Sequence, residues 1–263
     1  MNFDDWYKKK TKEKISNHII LFKDIKKFIN DVKGLLFPGF IDEVNDVKEY
    51  VDLKIKAIKD DMCTLLTEAN EIESLDDCGC YEELCNKFLE TLPKIEKMLN
   101  EDAEFFYESD PAAQSIKEIL ITYPGMSAIA TYRIAHELYN LNIPILPRAL
   151  TEFTHSKTGI DINPGAKIES PFYIDHGTGV VIGETTVIGK RVKIYQGVTL
   201  GALSLSKGRG LAGSKRHPTI EDNVTIYSNA SIFGGDTVIG KNSKIGANSY
   251  ITESVKENSI VRR

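Results

Sequence analysis

The stretch Ile182–Leu200 reads IGETTVIGKRVKIYQGVTL, with an aliphatic residue at every sixth position. The same spacing recurs through the C-terminal part of the chain in four separate runs. These anchors are Ile162, Ile168 and Ile174; Ile182, Ile188, Ile194 and Leu200; Ile220, Ile226 and Ile232; and Ile239, Ile245 and Ile251. One short strand and one turn in every six residues is the pattern of a parallel β-helix. We therefore predict a solenoid in which three hexapeptides close one triangular coil and neighbouring coils stack.

The sequence before Thr158 has a different spacing. Between residues 41 and 66 apolar side chains recur at steps of three or four, which is typical of an amphipathic helix. We predict an α+β protein: an all-helical N-terminal domain over residues 1–157, used in assembly, followed by a left-handed parallel β-helix of hexapeptide repeats over residues 158–263.

Proline punctuates the end of the helical part. Asp110-Pro111 has the form of an N-cap followed by proline at the first helical position, and it predicts a helix over 112–121. Pro124-Gly125 predicts a break before a further helix over 127–139.

The composition excludes several classes of protein. The 263 residues carry a net charge of -5, so no bulk attraction to nucleic acid or to an anionic membrane is expected. No apolar run approaches the roughly 20 residues that span a bilayer, nor forms a signal-peptide core, so we expect a cytoplasmic protein. The four cysteines lack paired spacing and neighbouring histidines, which favours reduced thiols over a zinc site. They are Cys63, Cys78, Cys80 and Cys85.

Three interruptions break the repeat, and insertions of this kind map to surface loops that often bind ligands. Ile174 and Ile182 are eight residues apart, and the segment Asp175-His176-Gly177-Thr178-Gly179 lies between them. An extended loop over 201–219 separates Leu200 from Ile220 and ends in Lys215-Arg216-His217-Pro218. A single extra residue lies between Ile232 and Ile239.

Counting anchors around the prism assigns these loops to different corners. Ile182 is expected to stack on Ile162, so Asp161 should lie beside the corner that carries His176. A carboxylate next to an imidazole fixes its tautomer and stabilises the imidazolium, which predicts a His176–Asp161 general base. Arg216 and His217 should occupy a second corner. Three prisms around a threefold axis would bring the two corners together, which predicts a homotrimer with its active site between subunits.

Four segments together resemble the serine acetyltransferases of bacterial and plant cysteine biosynthesis. They are Asp161–Ile168 (DINPGAKI), Ile174–Thr186 (IDHGTGVVIGETT), Tyr195–Gly201 (YQGVTLG) and Lys215–Ile220 (KRHPTI). The likeness runs from about residue 110 to about 254. It implies transfer of the acetyl group from acetyl-CoA to the hydroxyl of L-serine by direct attack, giving O-acetyl-L-serine and CoA.

The resemblance also implies roles for individual residues. Asp110 and Asp175 would bind the serine ammonium, whereas Arg216 and His217 would bind its carboxylate. CoA would lie along the coils; the residues that match its binding positions are Gly201, Ala202, Ser228, Lys244 and Ala247. The family uses acetyl-CoA as co-substrate, and no metal is expected.

The resemblance extends to assembly, with two departures. Hexamers built from two trimers are usual in the family, so we expect a homotrimer or a hexamer. The sequence stops before the tail by which many relatives dock into O-acetylserine sulfhydrylase, which makes that partner doubtful; we expect either that the protein lacks this partner or that the sequence is truncated. Gly-Ala replaces the usual Gly-Gly after Leu200, and the loop over 201–219 is unusually long, so the acceptor could differ.

Three alternatives remain open. The first is acetyl transfer to a sugar, homoserine or another hydroxyl acceptor. The second is a metal-dependent hydratase of the γ-carbonic-anhydrase type, which needs three histidine ligands where this repeat offers His176 and His217. The third is an assembly scaffold without catalytic activity.

Overall fold

The computed structural model describes residues 2–12, 20, 22–40, 42–73, 81–204 and 208–262. Seven α-helices lie in the described part of the chain before Asp161. They are α1 (Phe3–Lys10), α2 (Phe22–Leu36), α3 (Val47–Glu73), α4 (Tyr81–Ser109), α5 (Ile116–Thr122), α6 (Pro124–Asn140) and α7 (Leu146–Thr158). None of these helices is long and apolar enough to cross a membrane. Cys63 and Cys85 are free thiols, whereas Cys78 and Cys80 lie outside the described residues.

Two of the predicted helix boundaries were wrong. The helix expected over 112–121 begins at Ile116, because Ser115 is its N-cap and accepts a hydrogen bond from the Glu118 N–H at 3.1 Å. Asp110 instead follows α4, where its backbone oxygen accepts from the Ala113 N–H at 3.1 Å. The predicted break before the next helix is present at the single residue Tyr123, but that helix begins at Pro124, earlier than expected, because proline's missing N–H leaves nothing unsatisfied at the first helical position.

The β-helix is confirmed, with short parallel strands in three sheets. The strands are β1 (Asp161–Ile162), β2 (Lys167–Ile168), β3 (Phe172–Asp175), β4 (Val181–Ile182), β5 (Val187–Ile188), β6 (Val192–Tyr195), β7 (Thr199–Gly201), β8 (Thr219–Ile220), β9 (Thr225–Ile226), β10 (Ser231–Phe233), β11 (Val238–Ile239), β12 (Lys244–Ile245), β13 (Tyr250–Ile251) and β14 (Ile260–Val261). A short 3-10 helix, Gly208–Leu211, lies within the long loop.

The register of the sheets follows the anchor count. Sheet A has the order β1-β4-β7-β10-β13, sheet B the order β2-β5-β8-β11, and sheet C the order β3-β6-β9-β12-β14. Ile182 pairs with Ile162 and with Leu200, as predicted. All thirteen anchors are buried in one axial column, and each contributes on the order of 2 kcal/mol of hydrophobic stabilisation.

Asparagines make many of the turns between coils. Asn223, Asn229, Asn242, Asn248 and Asn258 all have φ between 58° and 61°, in the left-handed region. Asparagine tolerates this region better than other residues with a side chain beyond Cβ, since its short amide bonds locally to the backbone.

A buried ion pair joins the helices to the first coil. Arg133 of α6 contacts both carboxylate oxygens of Asp102 of α4, at 2.6 and 2.8 Å. The same carboxylate accepts from the Phe172 N–H at 2.9 Å, and Arg133 donates to the Ile168 oxygen at 3.2 Å. These bonds fix the end of α4, and hence Asp110, relative to the start of the β-helix.

Candidate active site

The first insertion crosses from sheet C to sheet A at what we call the His176 corner, the turn over 175–180. The chain has positive φ there at His176 (56°), Gly177 (83°) and Gly179 (80°). Left-handed backbone at a non-glycine residue is uncommon, costs on the order of 1–3 kcal/mol and is concentrated at functional sites. This backbone leaves the imidazole in solvent, with 73% of the side chain exposed.

Two carboxylates lie near this imidazole. Asp175 Oδ1 is 3.8 Å from His176 Nε2. Asp110 accepts hydrogen bonds from the Tyr123 hydroxyl at 2.7 Å and from the Ala112 N–H at 2.8 Å. These two bonds lower the pKa of Asp110, and the attraction of His176 lowers it further. Asp110 therefore stays ionised at neutral pH.

Tyrosine hydroxyls complete this corner. The hydrogen bond to Asp110 raises the pKa of Tyr123 to about 12. Burial raises the pKa of Tyr173 and of Tyr195, and the charge of Asp175 adds to both shifts. These phenols remain neutral, so the carboxylates supply the charge of the corner, and a small cation is attracted to it.

The Asp161 carboxylate is bonded to α7. The backbone N–H of Asp161 donates to the Val180 backbone oxygen at 2.9 Å, beside the His176 corner. Its side chain, however, accepts from Arg148 Nη1 at 2.9 Å and from Nη2 at 3.4 Å. In the described part of the chain, no hydrogen bond joins Asp161 to His176. The reason is that α7 ends at Thr158, just before β1, and brings the planar donor fork of Arg148 against the carboxylate.

Asp161 also belongs to a group with metal-ligating atoms. Glu152, His155 and Asp161 offer one such atom each, all within 4.8 Å of one another. Arg148 forms ion pairs with both carboxylates of this group. The chain itself therefore already supplies a cation to these acids.

The long loop crosses from sheet A to sheet B at what we call the His217 corner, made by residues 183–186 and 215–218. Thr185 holds this corner together: its hydroxyl oxygen accepts from the Arg216 N–H at 2.9 Å and from the His217 N–H at 3.1 Å. The imidazole of His217 packs on Gly183, where an added Cβ would lie 2.1 Å from the ring Cδ2. Only glycine leaves room for the ring at that position.

Arg216 and Lys215 are both bonded at this corner. The Arg216 guanidinium forms an ion pair with Glu184, whose other oxygen lies 3.5 Å from the Tyr139 hydroxyl. The Lys215 ammonium donates to the Thr185 oxygen at 2.7 Å, to the Pro218 oxygen at 3.1 Å and to the His217 oxygen. Lys215 thus fixes the end of the loop, and the Arg216 side chain extends from there to Glu184.

His217 is a neutral donor in this setting. Burial, reinforced by the charge of Arg216, lowers its pKa to about 4, and only 8% of the residue is exposed. The Thr185 N–H donates to Nδ1 at 3.1 Å, so Nδ1 has no proton and the neutral ring carries its proton on Nε2. A ligand at this ring would meet a hydrogen-bond donor rather than a cation.

Replacing His217 with glutamine should flatten the dependence of stability on acid pH. The pKa of an unfolded histidine is about 6.5, so between pH 4 and 6.5 the unfolded wild type binds more protons than the folded protein. Its free energy of unfolding should therefore fall as the pH drops through this window, and be fully retained above it. Urea unfolding of wild type and His217→Gln at pH 4.5 and 7.5 measures the difference. An identical pH dependence would contradict a depressed pKa at His217.

The residues matched to CoA binding lie at separate places in one chain. Ser228 and Ala247 stack above the His176 corner, and Lys244 lies on the exposed outer face of sheet C three residues before Ala247. Gly201 and Ala202 lie where β7 enters the long loop, at the edge that leads to the His217 corner.

The structure brings Asp110, Asp175 and His176 together, and separately Arg216 and His217. The two corners lie at different edges of the prism, as the anchor count predicted. Sequence reasoning missed the residues that hold these groups in place: Tyr123, Arg148, Thr185 and Glu184. Of these, Thr185 and Glu184 lie within the quoted IGETT segment, whereas no spacing or motif marks Tyr123 or Arg148.

The chain is similar in sequence to proteins of known function. Residues 217–253 match the family model of the bacterial transferase hexapeptide (six repeats). A plasmid serine acetyltransferase of Synechococcus elongatus is 56% identical over 145 residues, 54% of this chain and 46% of that protein. A serine acetyltransferase of Bacillus licheniformis is 50% identical over 128 residues, 49% of this chain and 56% of that protein. The match thus spans about half the length of these curated relatives.

Solved structures are similar over much more of the chain. Serine acetyltransferase 1 of Entamoeba histolytica, in complex with L-cysteine, has a TM-score of 0.81 and 32% identity over 99% of this chain and 96% of that one. A serine acetyltransferase of Neisseria gonorrhoeae, in complex with serine, has a TM-score of 0.62 and 28% identity over 90% of this chain and 79% of that one. The first likeness therefore includes both the helices and the β-helix.

Proposed function

Because this chain belongs to the serine acetyltransferase family, we propose that it transfers the acetyl group of acetyl-CoA to the hydroxyl of L-serine, giving O-acetyl-L-serine and CoA in cysteine biosynthesis. The observation that carries the proposal is the His176 corner, where an insertion in the repeat exposes an imidazole beside the carboxylates of Asp175 and Asp110.

His176 is the proposed general base. A serine hydroxyl is far too weak an acid to ionise at neutral pH, so its attack requires removal of the proton as the new bond forms. An exposed imidazole is suited to take that proton and to return it to the leaving thiolate. Asp161 is proposed to stabilise the imidazolium, which requires the ring to turn from Asp175 toward the first strand.

The two corners have the charges that the two ends of an amino acid need. Asp110 and Asp175 are proposed to bind the ammonium group. Arg216 and the Nε2–H of His217 are proposed to bind the carboxylate, through a charged fork and a neutral donor respectively. Glu184 already pairs with Arg216, so it would share the guanidinium with the substrate and help to orient it.

Acetyl-CoA supplies the thioester carbonyl that the serine hydroxyl attacks. Backbone N–H groups of Gly201 and Ala202 are proposed to stabilise the oxyanion that develops on this carbonyl. Ser228 and Ala247 present small side chains along the corner, which leaves room for an extended ligand. Lys244 is exposed and makes no ion pair within the described residues, so its charge is available to a phosphate. The proposed chemistry requires no metal.

A complete site requires two subunits in this proposal. The His176 corner and the His217 corner lie at different edges of one prism, so a serine molecule cannot contact both within a single chain. Packing three prisms around a threefold axis would bring the first corner of one subunit against the second corner of its neighbour. We therefore propose a homotrimer, alone or paired into a hexamer.

The proposed location is the cytoplasm, where acetyl-CoA and reduced thiols are available. Cys63 and Cys85 lie with their sulfur atoms 3.9 Å apart and are not bonded covalently, which suits a reducing compartment.

CoA release measured with a panel of hydroxyl acceptors tests the reaction. We expect thiol release from acetyl-CoA with L-serine and little or none with L-homoserine or a sugar, because the ammonium and carboxylate sites fix the position of one short side chain. Turnover with homoserine or a sugar but not with serine would replace the proposed acceptor. No turnover with any acceptor would favour the scaffold alternative.

A further inference from the structure

The carboxylate at the start of the β-helix is held by a network on one face of α7. Arg148 donates to both oxygens of Asp161, at 2.9 and 3.4 Å, in the parallel arrangement that suits a guanidinium and a carboxylate. This geometry fixes the plane of the carboxylate as well as its position.

Arg148 is itself held from the next turn of the helix. Its Nη2 forms an ion pair with Glu152, and His155 Nδ1 lies 3.3 Å from the other oxygen of Glu152. The backbone that carries these residues is firmly placed, since Leu146, Leu150 and Thr154 of the same helix are buried. The network therefore transmits the position of α7 to the Asp161 side chain.

Removal of an ordinary surface ion pair affects stability little, and these side chains are partly exposed: 40% for Arg148 and 21% for Asp161. The position of a catalytic carboxylate is much more sensitive, because a displacement of about 1 Å lowers rates by roughly 100-fold. The two roles thus predict different results when Arg148 is replaced.

We propose that Arg148 is a positioning residue that fixes Asp161 for its action on His176. This inference rests on the proposed function, in which Asp161 stabilises the imidazolium. A carboxylate has about four acceptor positions, so Asp161 keeps capacity for the imidazole N–H while both bonds to Arg148 are made. Glu152 accepts from Arg148 and holds it in place. Because the Arg148 guanidinium already pairs with Glu152 and Asp161, these two carboxylates and His155 do not need a metal ion.

The test compares Arg148→Gln and Arg148→Lys with Arg191→Gln. Arg191 is a matched control, since it is a similarly exposed arginine that pairs with Glu108 at 2.9 Å, away from Asp161. For Arg148→Gln we expect kcat to fall by about 10- to 100-fold. The KM values for serine and acetyl-CoA should change by less than about threefold. The reason is that Arg148 bonds to none of the residues proposed to bind either substrate. Arg148→Lys should recover part of kcat, and the thermal midpoints of the Arg148 variants should stay close to that of wild type.

A double-mutant cycle gives the second readout. If Arg148 acts only through Asp161, then adding Arg148→Gln to Asp161→Asn should cause no further loss of kcat. A full additional loss in the double variant would overturn the proposal, as would kcat values for both Arg148 variants at the level of Arg191→Gln. Unfolding of every Arg148 variant would also overturn it, by assigning the residue to stability.

Two further outcomes distinguish this proposal from a metal site at the same residues and from the proposed substrate. Activity that is lost with EDTA and restored by Zn²⁺ would assign Glu152, His155 and Asp161 to a metal ion and overturn the positioning role. A wild type that releases CoA with another acceptor but not with serine would overturn the proposed substrate alone, and the Arg148 comparison would then be run with that acceptor.

Discussion

We expect His176→Asn to lower kcat/KM for serine by about 10²- to 10⁴-fold, the usual contribution of a general base, while the thermal midpoint stays close to that of wild type. Asparagine is the appropriate replacement because position 176 has φ of 56°, a conformation that asparagine adopts readily and alanine does not. The imidazole is exposed and makes no hydrogen bond within the described residues, so its removal leaves no buried group unpaired. Steady-state CoA release and thermal unfolding measure the two quantities.

Arg191→Asn is the control for this variant. Arg191 is a second non-glycine residue with positive φ, 57°, at an exposed turn of the β-helix. Its replacement should leave kcat/KM within about twofold of wild type, because it lies outside both corners. A His176→Asn enzyme that keeps more than a tenth of wild-type kcat/KM would contradict a general-base role.

Mixed assemblies of His176→Asn and His217→Asn should recover activity that neither variant has alone. In a closed ring each site takes one corner from each of two neighbours, so with random mixing about one site in four has both corners intact. Selection for both tags removes the homotrimers, and each remaining mixed trimer has one complete site out of three, so we expect about a third of the wild-type kcat from co-expressed, doubly tagged trimers. The activity of oligomers carrying both tags, compared with each single variant, provides the measurement.

A pair of variants at the same corner provides the control for mixing. His176→Asn combined with Asp175→Asn should recover nothing, since every His176 corner in such an oligomer carries one of the two changes. Absence of recovery with His176→Asn and His217→Asn would place the whole site within one chain and contradict the shared-site proposal. Recovery with the same-corner pair would point to monomer refolding or wild-type contamination instead.

The register of the β-helix could be predicted because its period is local. Each aliphatic anchor fixes its own face, and an interruption is visible as a change in spacing, as at Ile174 and Ile182. Helix boundaries were predicted less accurately than this register, because several possible capping residues lie within a few positions of one another. At Asp110-Pro111 the proline does not begin a helix, since Ser115 and Glu118 cap one that starts later.

The candidate site was predictable only in part, for a related reason. His176 and His217 lie in visible insertions, so the sequence marks them. The bond between Arg148 and Asp161 depends on how α7 docks against the first strand, and no local pattern encodes that docking. The backbone of Asp161 lies beside the His176 corner, whereas the bond from its carboxylate to Arg148 was not foreseen. The pairing of Asp161 with His176 stays a prediction.

The anchoring of the long loop bears on how readily its length can change. The chain takes 20 residues to pass from Leu200 to Ile220 where the repeat takes six. By the logarithmic dependence of chain entropy on length, this extension costs only about 1 kcal/mol. At the end of the loop, the Lys215 ammonium bonds to the Thr185 backbone oxygen and the Arg216 N–H bonds to the Thr185 hydroxyl. These bonds hold the chain in place where the Arg216 and His217 side chains begin. Changes of length upstream of Lys215 are thus uncoupled from the end of the loop, so this segment can change length over evolutionary time while the side chains proposed to bind a carboxylate keep their place.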